Sequence, residues 1–177
     1  MSREFSNLCL TGFMGTGKST IGRTVAEQLK YELIDTDEWI EKATGQTVST
    51  IFDQGGEGAF RSWEREAVAE MAGKRNCVIS TGGGLIADPE NLASLKAHSL
   101  VVCLWASPEA IFDRVSDQSH RPLLRGPRPL DKIRELLAKR MPAYRQADVL
   151  INTDGRVPRE VAFQVIQHFR VSRDGTG

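Results

Sequence analysis

Five short apolar runs recur along the chain, and each has the length of a buried β-strand. They occupy residues 8–11, 31–35, 77–81, 100–105 and 149–152. Their continuous apolar character, as opposed to an alternation of apolar and polar positions, is typical of parallel strands that are covered on both faces. Segments with helical periodicity separate the runs. The pattern therefore predicts an α/β fold in which a parallel sheet lies between two layers of helices.

The helical segments differ in length, and one is too long for a single crossover helix. Two of the shorter ones have clear start signals, because Asp88-Pro89 and Ser107-Pro108 each place an N-cap residue before a proline. About forty residues of helical pattern separate the second and third apolar runs. This spacing predicts an insertion of two or three helices, and the glycine pair at 55–56 predicts a break within it.

The length and composition suit one domain with a substantial core, since 40% of the 177 residues are hydrophobic. We assign residues 1–171 to this domain and predict a disordered tail over 172–177. Basic and acidic residues both number 23, and this balance argues against general binding to nucleic acids or membrane surfaces. No apolar run reaches membrane-spanning length and the start resembles no signal peptide, so we expect a cytoplasmic protein. We also expect a monomer.

Three cysteines, Cys9, Cys77 and Cys103, each lie inside a different apolar run. Their number is odd and no pair has the spacing of a metal site. The sequence therefore predicts three small buried residues, without a disulfide framework.

The most specific motif is a phosphate-binding loop, Gly-Phe-Met-Gly-Thr-Gly-Lys-Ser, at residues 12–19. It follows an apolar run and precedes a helical segment, which is the strand–loop–helix context that the motif requires. The alternative is an accidental glycine-rich turn before a helix. In the motif, backbone N–H groups hold a polyphosphate, Lys18 reaches the outer phosphates and Ser19 ligates Mg²⁺. The predicted nucleotide-binding residues are Met14, Gly15, Thr16, Gly17, Lys18, Ser19 and Thr20.

An acidic pair, Asp35 and Asp37, follows the second apolar run, whereas neither later central run ends in an acid. If the backbone stays extended across Thr36, both carboxylates share one side. One can then serve Mg²⁺, directly or through water, and the other can face a hydroxyl group. The alternative is that Asp35 or Thr36 only caps the next helix. The two interpretations are compatible.

Arginines and glycines supply further candidate residues for binding an anionic substrate. Arg61 and Glu64 are one helical turn apart, either as a surface pair or with Glu64 holding Arg61 toward an anion. Three glycines, at 82–84, end the third apolar run and form either an ordinary turn or a set of exposed N–H donors. Residues 117–129 are rich in arginine, proline and glycine, which favours a lid that offers Arg121 to a phosphoryl group over a solvated loop.

Together, these motifs identify a resemblance to the shikimate kinase family over nearly the whole chain. The matching segments are 12–20, 34–37, 56–64, 81–84, 121–124 and 140–148. The resemblance implies transfer of the γ-phosphoryl group of ATP to the 3-hydroxyl of shikimate, with Mg²⁺, in aromatic amino-acid biosynthesis. It also implies a five-stranded parallel sheet of order 2-3-1-4-5, as in nucleoside monophosphate kinases, with substrate-binding helices over 36–72 and a lid over 114–129.

The resemblance also implies roles for individual residues. The catalytic residues would be Lys18, Asp37 and Arg121. Shikimate would be bound by Asp37, Arg61, Gly82, Gly83, Gly84 and Arg140. Mg²⁺ would be held by Ser19 and, through water, by Asp35. Besides the phosphate loop, the nucleotide would be contacted by Arg114, Arg121 and Arg156.

Three other functions stay open at the level of sequence. A kinase of similar build can act on gluconate or on a nucleoside monophosphate, and a nucleotide-responsive binding protein needs no transfer activity. The set of Asp37, Arg61 and Arg140 favours shikimate, because two arginines and an acid suit a small hydroxylated carboxylate.

Overall fold

Strands and helices alternate along the chain, as the apolar pattern predicts. The structure is a computed structural model that describes residues 3–116 and 126–175. The strands are β1 (Asn7–Thr11), β2 (Glu32–Asp35), β3 (Cys77–Ser80), β4 (Ser99–Trp105) and β5 (Val149–Asn152). The helices are α1 (Lys18–Leu29), α2 (Thr36–Thr44), α3 (Val48–Met71), α4 (Pro89–His98), α5 (Pro108–Val115), α6 (Pro129–Tyr144) and α7 (Pro158–Asp174).

The five strands form one parallel sheet of order β2-β3-β1-β4-β5, which confirms the predicted order. Strand β1 lies at the centre, and all five of its residues are buried. Ligands of such sheets collect at the carboxyl ends of the strands where the chain order reverses. Here that point is the end of β1, between β3 and β4.

Helices cover both faces of the sheet because successive strand residues point to opposite sides. On one side, Leu8 and Leu10 of β1 pack against apolar residues of α1 and α7. On the other side, Cys9 packs in a cluster with residues of α3, α4, α5 and α6. Cys9, Cys77 and Cys103 are all buried and free, as predicted.

The insertion between β2 and β3 consists of α2 and α3, within the predicted range of two or three helices. Gly56 has φ 74° inside α3 and kinks it, at the predicted glycine pair. A small separate cluster of Ile40, Ile51, Phe60 and Ala67 holds α2 against α3. The insertion therefore has its own apolar contacts beside the sheet.

The C-terminal helix is longer than predicted. Helix α7 continues to Asp174, so the prediction of disorder from residue 172 is wrong for the segment up to there. The last turn is held by Arg173, whose guanidinium lies 5.5 Å from the centre of the Phe169 ring and donates to the Tyr31 hydroxyl at 3.0 Å. Across the described residues, no helix combines the length and apolar character needed to cross a membrane.

Candidate active site

The loop between β1 and α1 has the backbone geometry of an anion-binding site. Gly12, Gly15 and Gly17 have φ of 134°, 74° and 97°, values that side-chain-bearing residues rarely adopt. A Cβ at Gly12 would also collide with the carbonyl oxygen of Leu104. The first turn of α1 contains no acidic residue, so its N–H groups and helix dipole are available to a phosphate.

Lys18 and Thr16 fold back onto this loop. The Lys18 ammonium donates to the carbonyl oxygens of Gly12 at 2.6 Å and Phe13 at 2.9 Å. The Thr16 hydroxyl donates to the Phe13 oxygen at 2.8 Å and is buried. The ammonium is thus held at the loop, where the phosphates of a bound nucleotide would meet it.

Asp35 caps helix α2, and this cap changes the predicted geometry of the acidic pair. Its Oδ1 accepts hydrogen bonds from the N–H groups of Asp37 at 2.9 Å and Glu38 at 3.1 Å. Thr36 is therefore the first residue of the helix, so the backbone across it is not extended and Asp35 is the cap that the alternative interpretation describes. Asp35 and Asp37 nevertheless line the same cleft, because the helix starts at its edge.

Asp37 is a buried carboxylate with an unusual protonation equilibrium. Among the described residues, its Oδ1 is buried without a hydrogen-bond partner. Burial raises the pKa of Asp37, and the negative charges of Asp35 and Glu64 raise it further, to about 6. Lys18 opposes the shift only in part. A carboxylate with this pKa is ionised at neutral pH and binds a proton more readily than an ordinary aspartate.

Arg61 is held in place by two acids of its own helix. Its guanidinium forms an ion pair with Glu64 and a second, at 3.2 Å, with the exposed Glu57. Glu64 is only 1% exposed, so the interpretation as a surface pair is wrong. Burial raises the pKa of Glu64, whereas Arg61 and Arg140 act in the opposite direction. The ion pair aims Arg61 toward the turn that follows β3.

That turn, at 82–84, connects the acidic side of the cleft with α6. The Gly82 N–H donates to the Thr36 hydroxyl at 3.2 Å, so it is not the free donor that the sequence interpretation assumed. The Tyr144 hydroxyl donates to the Gly83 oxygen at 2.7 Å. Arg140, one turn before Tyr144, lies with its guanidinium 5.3 Å from the centre of the Phe13 ring.

A cleft of about 390 Å³ joins most of these groups, but Arg61 and Gly84 are not among the residues that line it. Its lining residues are Met14, Gly15, Gly17, Lys18, Ser19, Thr20, Asp35, Asp37, Ser80, Thr81, Gly82, Gly83 and Arg140. The phosphate loop thus faces the acidic pair and one of the two proposed carboxylate-binding arginines. Ser80 was not predicted to line the cleft. Thr36 and Tyr144 lie in segments that match the family, but their hydrogen bonds to Gly82 and Gly83 were not predicted, because these partners are distant in sequence.

The remaining predicted residues lie around this cleft or apart from it. Arg114 donates to the Gly15 oxygen at 3.0 Å and to both the hydroxyl and the carbonyl of Thr153, so it ties the phosphate loop to the end of β5. Arg156 donates to Gln164 at 2.6 Å and lines a separate open groove along α7. Arg121 and most of the predicted lid lie outside the described residues.

The residues present fit a magnesium ion that is bound mainly by phosphates and water. Within the described ranges, no group of three or more His, Cys, Asp or Glu side chains forms a metal site of its own. The residues of the cleft that are candidates for ligating Mg²⁺ are Ser19, through its hydroxyl, and Asp35, through its carboxylate. Mg²⁺ in phosphoryl-transfer sites typically uses one or two such protein ligands together with substrate oxygens.

Comparison with known proteins decides among the phosphate-loop families. The sequence model described as "Shikimate kinase" matches residues 14–170. The chain belongs to the shikimate kinase family. Among curated relatives, the shikimate kinase of Thermodesulfovibrio yellowstonii is 44% identical over 96% of this chain and 98% of its own. That of Thermus thermophilus is 47% identical over 93% and 90%, respectively.

Solved structures agree with this assignment to the shikimate kinase family. The shikimate kinase of Acinetobacter baumannii in complex with shikimate superposes with a TM-score of 0.89 at 36% identity, covering 97% of this chain and 96% of the other. A gluconokinase from Sinorhizobium meliloti superposes with a TM-score of 0.67 at 16% identity, covering 98% and 97%. The latter likeness concerns the fold alone.

Proposed function

We propose that the protein transfers the γ-phosphoryl group of ATP to the 3-hydroxyl of shikimate, yielding shikimate 3-phosphate and ADP. The observation that carries the proposal is that Lys18, Asp37 and Arg140 line one cleft. A phosphate-binding cation, an unpartnered carboxylate and a carboxylate-binding cation are what this transfer requires. Membership of the shikimate kinase family supports this choice of acceptor.

The donor side is the phosphate loop with the first turn of α1. ATP would bind with its outer phosphates at the N–H groups of the loop and at Lys18. Mg²⁺, held by Ser19 and through water by Asp35, supplies charge neutralisation on those phosphates when bound. The lid residue Arg121 would add a further positive charge there, and Arg114 and Arg156 would contact the remainder of the nucleotide.

The acceptor side is the surface formed by α2, α3, α6 and the turn at 82–84. Arg61 and Arg140 would pair with the shikimate carboxylate, which fixes the orientation of the ring. Gly83 would contact the substrate from its backbone. Asp37 would then accept a hydrogen bond from the attacking hydroxyl.

The chemical step needs alignment and the removal of one proton. The hydroxyl oxygen attacks phosphorus, the bond to the ADP oxygen breaks, and the hydroxyl proton passes to Asp37 or is held by it until transfer is complete. A pKa of about 6 leaves Asp37 ionised at neutral pH and more basic than an ordinary aspartate. Lysine and arginine charges balance the charge that collects on the phosphoryl oxygens.

An ADP-release assay with three acceptors tests the proposal. The purified protein is supplied with ATP and Mg²⁺ and with shikimate, gluconate or AMP, and Lys18→Met serves as the inactive control. Release that depends on shikimate and on Lys18 supports the proposal. Release with gluconate or AMP but not shikimate refutes the acceptor, and ATP binding without any acceptor-dependent release would make the protein a nucleotide-responsive binding protein.

We further propose a cytoplasmic monomer that has neither a nucleic-acid nor a membrane partner. The balanced charge of the sequence supports this, with 23 basic and 23 acidic residues. Light scattering at micromolar concentration tests the oligomeric state, and a mass above that of one 19.6 kDa chain would contradict it.

A further inference from the structure

Each of the glycines at 82–84 lies against a different charged side chain in or beside the cleft. A Cβ added to Gly82 would lie 3.0 Å from the Asp37 Oδ1. One added to Gly83 would lie 3.1 Å from the Arg140 Nη1, and one added to Gly84 would lie 2.7 Å from the Arg61 Nη2. Each glycine therefore leaves room for one charged group.

Backbone conformation does not explain these glycines. None of the three has φ in the left-handed region, so alanine can adopt the same backbone at each position. The Gly82 N–H is already bonded to Thr36, which removes it as a donor to substrate. The missing side chain is the feature that the turn requires.

Gly84 is the tightest of the three sites. Its added Cβ would lie within 3.1 Å of three atoms of the Arg61 guanidinium, at 2.7, 2.9 and 3.1 Å. All three belong to the end of a flexible side chain, so that guanidinium can move while the fold stays intact. It would then leave the position that its ion pairs with Glu57 and Glu64 define.

At Gly82 the neighbouring atoms are carboxylate oxygens. The added Cβ would lie 3.0 Å from Asp37 Oδ1 and 3.4 Å from Glu64 Oε1, and both oxygens are buried without a hydrogen-bond partner among the described residues. A methyl group there would exclude water from Asp37 and shift its carboxylate by a few tenths of an ångström. Both effects act on the group that faces the attacking hydroxyl.

We infer that Gly82 and Gly84 are positioning residues with separate targets, Gly82 for the proton-accepting carboxylate Asp37 and Gly84 for the carboxylate-binding Arg61. The inference rests on the proposed function, which gives Asp37 and Arg61 their roles. It predicts that two substitutions two residues apart in one turn damage different kinetic parameters.

Steady-state kinetics of Gly82→Ala and Gly84→Ala test the separation, with Gly73→Ala as control because its Cβ meets only an ordinary contact at 3.7 Å. We expect Gly84→Ala to raise the KM for shikimate about tenfold or more with little change in kcat, as for the loss of a charged hydrogen bond. We expect Gly82→Ala to lower kcat with little change in the KM for shikimate, because the added methyl group displaces the Asp37 carboxylate, whose Oδ1 would lie 3.0 Å away. Equal effects of both variants on KM and kcat would overturn the inference.

Double-mutant cycles distinguish positioning from general damage to the turn. On the Arg61→Ala background, Gly84→Ala should change the KM for shikimate no further, because its target is already gone. On the same background, Gly82→Ala should keep its full effect on kcat. Additive effects of Gly84→Ala and Arg61→Ala would show that Gly84 acts through something else and would refute its assignment.

A crystal structure of Gly84→Ala tests the inference independently of the reaction. A displaced Arg61 guanidinium on an unchanged backbone supports it, and an unmoved guanidinium refutes it. If the wild-type protein did not phosphorylate shikimate, the proposed function would fail, but this structural result would still decide whether Gly84 positions Arg61.

Discussion

Replacing Asp37 by asparagine should remove most of the turnover and, above pH 6, stabilise the protein without ligands. Asp37 is ionised at neutral pH in a place where burial and two neighbouring carboxylates disfavour its charge. Asparagine has a similar shape and no charge. The variant therefore removes the repulsion together with the group that orients the hydroxyl.

The size of the effect follows from the pKa. A rise from 3.8 to about 6 corresponds to about 3 kcal/mol, at about 1.4 kcal/mol for each tenfold change in the ionisation constant. The sign is that of a raised acid: the folded state holds the proton more tightly than the unfolded chain. The contribution of Asp37 to the free energy of unfolding is therefore greatest below pH 3.8 and is lost as the pH rises to about 6.

Urea unfolding of both proteins from pH 4.5 to 8 measures this difference. The free energy of unfolding of Asp37→Asn minus that of the wild type should increase by about 2 kcal/mol over this range and then level off above pH 6. At pH 8, the melting temperature of the variant should be higher by up to roughly 6–12 °C, at about 2–4 °C per kcal/mol for a domain of this size. Titrating groups remote from Asp37 are common to both proteins and cancel in the difference.

Two controls define what would refute this reasoning. Asp113→Asn removes a carboxylate from the exposed surface of α5 and should change stability by no more than about 0.5 kcal/mol. A difference between wild type and Asp37→Asn that does not vary with pH would contradict the raised pKa. Activity of Asp37→Asn within tenfold of the wild type would contradict the role in orienting the hydroxyl, whose loss we expect to reduce kcat by about 10²–10⁴.

Three further predictions concern the other charged residues of the cleft. Lys18→Ala should reduce kcat at least about a hundredfold by removing a charge that acts on the transferring group, measured with saturating ATP. Arg61→Ala and Arg140→Ala should each raise the KM for shikimate about tenfold or more, and an unchanged KM in both would remove the carboxylate assignment. Asp35→Ala should destabilise the protein by about 1 kcal/mol, because the α2 cap is lost, and should raise the Mg²⁺ concentration needed for half-maximal activity. Asp35→Asn should keep the cap and change only the Mg²⁺ dependence.

The sequence predicts the sheet well because its strands are short apolar runs, of which β1, β3 and β4 are buried along nearly their whole length. The strand order and the helical insertion agree with expectation. The errors lie at the ends of helices, because contacts with residues distant in sequence determine where a helix ends. Arg173, in the last turn of α7, contacts Phe169 and Tyr31. The sequence pattern of the tail does not reveal these contacts.

The candidate site was predictable where a motif determines local geometry, and less so where side chains meet across elements. The positive φ values of the phosphate loop follow from its glycines. By contrast, the spacing of Arg61 and Glu64 does not reveal that Glu64 is buried. Likewise, the sequence does not reveal that Arg156 donates a hydrogen bond to Gln164 and lines a groove separate from the cleft.

The acidic side of the cleft is arranged for its ligands and not for the stability of the empty protein. Asp35, Asp37 and Glu64 place three carboxylates beside one turn, and their mutual repulsion contributes to the raised pKa of Asp37. The cations near them are Lys18, Arg61 and Arg140. In the proposed reaction, the two arginines bind the substrate carboxylate. The anionic ligands would therefore meet cations that are already in place, and binding would need little rearrangement of the site. This is electrostatic preorganisation, in which part of the folding free energy is given up so that charges already have the arrangement that the transfer requires.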